Sequence, residues 1–290
     1  MSVVCAAAHD CWAVGTVNIL GGSAGAPLIE HYSGVAWTIA GGPPMAPEVE
    51  RDAIWLSAVT CVTSDDCWAV GSNGQEGGPP TQPLVAHYDG DAWSVVPGPS
   101  IPGTGGSLDA VACATATDCW AVGQEGSGAL IEQFAGSGWS VVGSPPTGLL
   151  SAVTCVDADE CWAVGYTGGG DTSQPLVEEY AGSGWAVVPS PHVNAANGGE
   201  FSGVACSSPD DCWAVGDIEG PLSDLMGTPP PDMDAPLTDH YSSGRWALVS
   251  DGDVSDDAPI AISCMPSGGC WAVGGLGTDP SGGPLTETTT

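Results

Sequence analysis

The stretch SDDCWAVGSNG, residues 64–74, holds a phrase that recurs along the chain: CWAVG begins at Cys11, Cys67, Cys119, Cys161, Cys212 and Cys270. One phrase repeated at intervals of roughly 40–60 residues is architecture before it is chemistry, because a unit of that size buries its apolar face only against its neighbours. Around the second copy the unit reads LSAVTC (56–61), CWAVG (67–71), a variable loop, PLVAHYDG (83–90) and AWSVV (92–96). These are four short segments, bounded by Gly, Pro, Asp and Ser, that read as β-strands joined by turns. We label them A to D. No segment sustains a 3.6-residue period, so helices are expected to be few.

Twelve cysteines fall into six C-x5-C pairs: Cys5/Cys11, Cys61/Cys67, Cys113/Cys119, Cys155/Cys161, Cys206/Cys212 and Cys264/Cys270. A fully paired set predicts disulfides Cys5–Cys11, Cys61–Cys67, Cys113–Cys119, Cys155–Cys161, Cys206–Cys212 and Cys264–Cys270, and an oxidising compartment. Zinc is the competing explanation, but two thiols per repeat leave each ion half-ligated unless repeats share ions. With Cys61 facing Cys67 across an A–B hairpin, the register pairs Val59 with Ala69, Thr60 with Trp68 and Ala58 with Val70. Trp68 then supplies buried area, and Gly71 is expected to end strand B. The acids before the second cysteine (Asp10, Asp66, Asp118, Glu160, Asp211) are expected to hold their own turn by local hydrogen bonds.

Strands C and D recur as PLIEHYSGVAW (27–37), PLVAHYDGDAW (83–93), ALIEQFAGSGW (129–139), PLVEEYAGSGW (175–185) and PLTDHYSSGRW (236–246). Each ends in a glycine-assisted turn and a tryptophan expected to pack between neighbouring units. His31, His87 and His240 share one position that Gln133 and Glu179 fill elsewhere, which argues against a histidine site and for strand-surface residues.

Four strands per unit match the blades of a β-propeller, which manage exposed sheet edges by radial repetition. The expected fold is all-β, a single propeller domain over residues 1–290, with blades near 1–41, 54–97, 107–143, 149–189, 200–249 and 259–290. The last unit stops after strand C, so six blades is the reading and an incomplete seven-bladed ring the alternative. CWAVG with a later HYDGDAW resembles the repeat of secreted bacterial β-propellers of the BNR/Asp-box and photosystem-assembly-factor groups, where GWAVG and a DGG-x-TW turn play equivalent parts. The resemblance spans nearly the whole chain and implies fold rather than activity. The chain departs from it by adding the cysteine pair and by lacking the full S-x-D-x-G-x-T-W box.

The charge is lopsided. Two basic side chains, Arg51 and Arg245, stand against 35 acids, for a net charge of −33. Such a chain repels phosphate polymers and anionic lipid, which excludes nucleic acid as a partner. No apolar run approaches the length needed to span a bilayer, so membrane insertion is not expected. Met1 already lies inside the first repeat, so the expectation is a piece of a longer chain, extracellular or at the cell surface, whose leader lies upstream.

In an up-and-down blade the A–B and C–D turns share one end, which here is nearly constant. Variation concentrates at the other end, in B–C loops from GQEGSG (123–128) to GDIEGPLSDLMGTPPPDMDA (216–235) and in D–A linkers such as GGPPMAPEVERDAIW (41–55) and SDGDVSDDAP (250–259). Binding residues favour variable loops on a rigid scaffold. The expected function is therefore a non-catalytic binding or scaffold propeller recognising a protein or carbohydrate through those loops. The alternative is a carbohydrate-active hydrolase using loop carboxylates, which needs two acids roughly 5–10 Å apart. Asp251, Asp253, Asp256 and Asp257 form an oxygen-rich run that suits a weak calcium site, although it lacks EF-hand spacing. No other cofactor and no catalytic residue is assigned, since no G-x-S-x-G elbow or H-E-x-x-H occurs. The sialidase chemistry known on this fold needs more arginines than the chain has.

Overall fold

A computed structural model describes residues 1–18, 25–42, 53–74, 81–99, 101, 105–143, 148–169, 172–190, 198–219, 235–249, 257–265, 269–276 and 285–289. The chain forms two compact units, Met1–Ser144 and Pro145–Thr290, each holding three successive sheets. In the first unit these are β1 (Ser2–Ala7), β2 (Asp10–Asn18), β3 (Gly25–Tyr32) and β4 (Trp37–Ala40); β5 (Ala53–Thr63), β6 (Asp66–Gly74), β7 (Gln82–Tyr88) and β8 (Trp93–Val96); and β9 (Gly106–Thr115), β10 (Asp118–Glu125), β11 (Gly128–Phe134) and β12 (Trp139–Val142). The second unit holds β13 (Leu149–Asp157), β14 (Glu160–Thr167), β15 (Gln174–Tyr180) and β16 (Trp185–Val187); β17 (Gly198–Ser208), β18 (Asp211–Glu219), β19 (Ala235–Ser242) and β20 (Arg245–Leu248); and β21 (Asp257–Cys264), β22 (Cys270–Leu276) and β23 (Leu285–Thr289). Every sheet is an antiparallel meander in chain order, and the sixth has three strands. Apart from a 3₁₀ position at Thr172, the regular elements among the described residues are strands.

The A–B hairpin has the register read from the cysteines: Ala58 pairs with Val70, Val59 with Ala69, Thr60 with Trp68 and Cys61 with Cys67. All six predicted disulfides are formed, one per sheet, and each closes its hairpin beside the turn.

Gly71 does not end strand B. β6 runs on to Gly74, and Gly71 sits opposite a β-bulge between Leu56 and Ala58. The bulge pushes the Trp55 carbonyl across the strand, so a Cβ on Gly71 would lie 1.8 Å from that oxygen. Gly123, Gly165 and Gly216 meet Ser107, Leu149 and Glu200 in the same way, at 2.1, 2.0 and 1.9 Å. In these four sheets the last residue of CWAVG is thus glycine because a bulged neighbour leaves no room for a side chain.

CWAVG reads as nearly continuous apolar sequence because both faces of an inner strand are covered. In the second sheet Cys67, Ala69, Leu84 and Ala86 pack with Trp12, Val14 and Ile29 of the first. Trp68, Val70 and Val85, on the opposite face, pack with Leu108, Cys119 and Ala121 of the third. Three strand-D tryptophans meet a strand-B tryptophan of the preceding sheet edge to face: Trp93 on Trp12, Trp139 on Trp68 and Trp246 on Trp162, all with ring centres 5.4 Å apart. Truncating one such ring to alanine costs roughly 3–5 kcal/mol. Trp37 differs: with Val3 and Ile39 it is exposed to solvent, 45% of its surface open.

Candidate functional site

Asp251, Asp253 and Asp256 lie outside the described residues; Asp257 opens β21, but its side chain is not described. Much of the variable end falls outside as well, including residues 43–52, 220–234 and 250–256. Among the described residues no group of three or more His, Cys, Asp or Glu is arranged to hold a metal ion. No helix of the described residues is long and apolar enough to cross a membrane.

The strand-C histidines are surface residues of a specific kind. His31, His87 and His240 donate from Nε2 to Asp10, Asp66 and Asp211 at 2.7, 2.8 and 2.7 Å. Each imidazole also stacks on the strand-B tryptophan beside it, with ring centres 4.3, 4.1 and 4.1 Å apart for Trp12, Trp68 and Trp213. In the third sheet Gln133 Nε2 replaces the imidazole and donates to Asp118 at 3.0 Å. The acid before the second cysteine therefore ties strand B to strand C rather than mainly holding its own turn. In the second, third and fourth sheets that turn is held by the residue two after the first cysteine, as where Asp157 accepts from the Asp159 amide at 2.8 Å, whereas in the fifth Asp211 does accept across its own turn, from Ser207. Asp211 also accepts from Ser207 and Trp213, and these donors, Ser207 first and then His240, hold its carboxyl below the ordinary range.

The fourth sheet breaks the rule, placing Glu160 and Glu179 where the first, second, third and fifth pair an acid with a donor. Burial, helped by the charges of Asp157, Glu179 and Asp210, raises the Glu160 carboxyl.

Three further acids were not expected inside the fold. Glu132, Glu178 and Asp239 are fully buried at one strand-C position, opposite Ala121, Ala163 and Ala214 of CWAVG. The oxygens of Glu132 and Asp239 have no hydrogen-bond partner among the described residues. Burial raises both carboxyls to about 7. Being inaccessible, they are groups of the core rather than of a reaction site. The signal that reveals them is register: they share a face with the alanine of CWAVG, and that face is covered.

The first unit also carries a cleft of about 440 Å³ between its first two sheets, walled by Trp12, His31, Thr38, Tyr88, Asp91 and Trp93. Ala40, the last residue of β4, and Gly41 and Gly42 beyond it complete the lining. Tyr88 donates to the Gly90 carbonyl at 3.1 Å, and Asp89 accepts from the amides of Asp91 and Ala92 at 3.1 and 3.0 Å. Those two amides hold the Asp89 carboxyl below its ordinary value. Burial, then the charges of Asp65, Asp91, Asp10 and Asp89, pushes the Tyr88 phenol above its own. The cleft is aromatic and sits in a negative field.

No family model matches the chain, and no curated protein does. Solved structures do. The GH74 xyloglucanase from Xanthomonas campestris superposes over 99% of this chain and 46% of its own length, at a TM-score of 0.59 and 15% identity. The fold is a β-propeller. A catalytically inactive virginiamycin B lyase from Staphylococcus aureus, solved with quinupristin, covers 99% of the propeller and 82% of itself at a TM-score of 0.55 and 12% identity. YCF48 from Cyanidioschyzon merolae covers 93% and 76% at 0.53 and 13%. At such identities the likeness is one of fold alone.

Proposed function

We propose that this propeller is a non-catalytic binding module, extracellular or at the cell surface, that recognises a protein or carbohydrate through its B–C and D–A connections. The observation that carries the reading is the contrast between the two ends of the blades. At one end every A–B hairpin is closed by a disulfide. At the other, the B–C connection changes from residues 126–127 between β10 and β11 to residues 220–234 between β18 and β19. A stapled, invariant end is a scaffold, and freely varying connections on a scaffold are where recognition evolves. Six disulfides agree with an oxidising compartment. The repeat phrase agrees with secreted bacterial propellers of the BNR/Asp-box and photosystem-assembly-factor kind. Within this reading the acids Asp251, Asp253, Asp256 and Asp257 take calcium, which calorimetry at millimolar calcium tests directly.

The deciding experiment screens the purified chain against a glycan array and surface proteins while assaying release of reducing sugar. Binding without turnover, lost when the 220–234 connection is shortened, is the expected result. Release of reducing sugar would establish the hydrolase reading instead. Loss of binding on altering only the disulfide end would overturn the assignment of the recognition end.

A further inference from the structure

The cleft of the first unit exists where one side chain is shortened. Ala40 pairs with Ile29 at the end of strand D. The matching residue is Val96 opposite Val85, Val142 opposite Ile131, Val188 bonded to Val177 and Val249 bonded to Thr238. Four blades thus place a valine where the first places alanine followed by two glycines. The missing methyl groups and the bare backbone beyond leave the space that Trp12, His31, Tyr88 and Trp93 enclose.

We propose that this cleft binds the basic side chain, arginine or lysine, of a partner polypeptide. The walls select a cation in two ways. Tyr88 and His31 are half-buried rings on the wall, backed by buried Trp12 and Trp93, and an aromatic wall attracts a guanidinium or ammonium through the ring quadrupole. Asp91 lines the cleft, and Asp10, Asp65 and Asp89 add their fields at Tyr88. No lysine or arginine is among the lining residues. A net charge of −33 steers cations toward the surface at large and repels carboxylate or phosphate groups. A neutral sugar gains nothing from this field, whereas a basic side chain gains from both the rings and the carboxylates. The cleft is a cavity in which a cation is partly desolvated, where such contacts strengthen. The proposal touches the loop reading only at Gly41 and Gly42, so either can fail without the other.

The test titrates the ¹⁵N-labelled chain with the capped tripeptide Gly-Arg-Gly and with the same peptide carrying citrulline, a neutral isostere of arginine, following the indole resonances of Trp12 and Trp93. Expected is millimolar-range binding of the arginine peptide that weakens with salt, with the citrulline peptide about tenfold weaker. Ala40→Val copies the residue of the other blades, so it keeps the fold and is expected to weaken binding by about tenfold or more by filling the cleft. Asp91→Asn is expected to weaken it roughly three- to fivefold. The proposal is overturned if both peptides bind alike, if Ala40→Val binds as the wild type does, if neither peptide shifts the two indoles, or if a neutral monosaccharide shifts them as strongly.

Discussion

Glu132 holds, in the third blade, the register position that Ala86 holds in the second. Ala86 faces Ala69 across the strand pair, and Glu132 faces Ala121 in the same geometry. Both are fully buried, so a carboxyl occupies a site that the fold also fills with a methyl group. Val141 flanks Glu132 on β12, and a Cβ on Gly98 would lie 3.8 Å from its Oε2. Nothing among the described residues donates to the carboxyl. Such a group avoids most of its burial cost by keeping its proton.

Stability should therefore fall as pH rises toward neutrality. In the unfolded chain Glu132 and Asp239 ionise near their ordinary values, 4.5 and 3.8, while in the fold both hold a proton until about 7. Between those limits the native state binds more protons, so the free energy of unfolding decreases with pH and levels off above about 7. The linkage amounts to roughly 3–4 kcal/mol for each group. Urea unfolding at pH 5, 6, 7 and 8 reads the slope directly. Glu132→Gln should flatten it, and an equally steep profile in the Glu132→Gln, Asp239→Asn double variant would show that these groups do not carry it.

Glu179→His should stabilise the second unit. The change recreates the pairing seen at His240 and Asp211, giving Glu160 a donor in place of a like charge. Because the pair is only half-buried, the gain expected at pH 7 is about 0.5–1 kcal/mol. Comparing unfolding midpoints of the variant and wild type in low salt measures it. A lower midpoint would mean that Glu179 makes a contact worth more than the pairing.

Gly71→Ala should be among the most damaging single substitutions in the chain. The new methyl group meets the Trp55 carbonyl, part of a bulged backbone with little freedom to withdraw. A loss of roughly 2–4 kcal/mol, or failure to fold, is expected. Gly138→Ala, where a Cβ meets nothing within 4 Å, is the control and should stay within about 0.5 kcal/mol of wild type. Equal effects of the two variants would contradict the steric account.

Replacing Cys61 and Cys67 together by serine removes one hairpin closure. The loop is short, so the chain-entropy account gives a loss of about 2 kcal/mol. Peptide mapping of the natively purified protein should recover six intact C-x5-C bridges. Recovery of alkylated free thiols at these positions, or a double variant as stable as wild type, would contradict the stapling role.

Repeat, strand count and disulfide pairing were all legible because they are local. A C-x5-C hairpin has its partner within reach in sequence, and one pair of facing cysteines sets the register of the residues behind it, as Val59 and Ala69 show. The histidine–aspartate links were less legible, since His87 and Asp66 meet only once strand C has returned beside strand B. The substitutions at both positions carried a hint: Gln133 keeps a donor opposite Asp118, while Glu179 stands in the blade where the acid is Glu160.

By itself the sequence determined a stapled all-β repeat whose constant and variable ends are opposite, because hydrophobic alternation and paired cysteines are properties of neighbouring residues. Tertiary structure alone decided that strand C is covered on both faces, which places Glu132 and Asp239 in the core, where burial raises their carboxyls to about 7. It also decided that one alanine in place of valine opens a cleft, since the space a side chain leaves empty depends on the sheet packed against it. Alternation tells which residues share a face; only the packing of the next blade tells whether that face meets water.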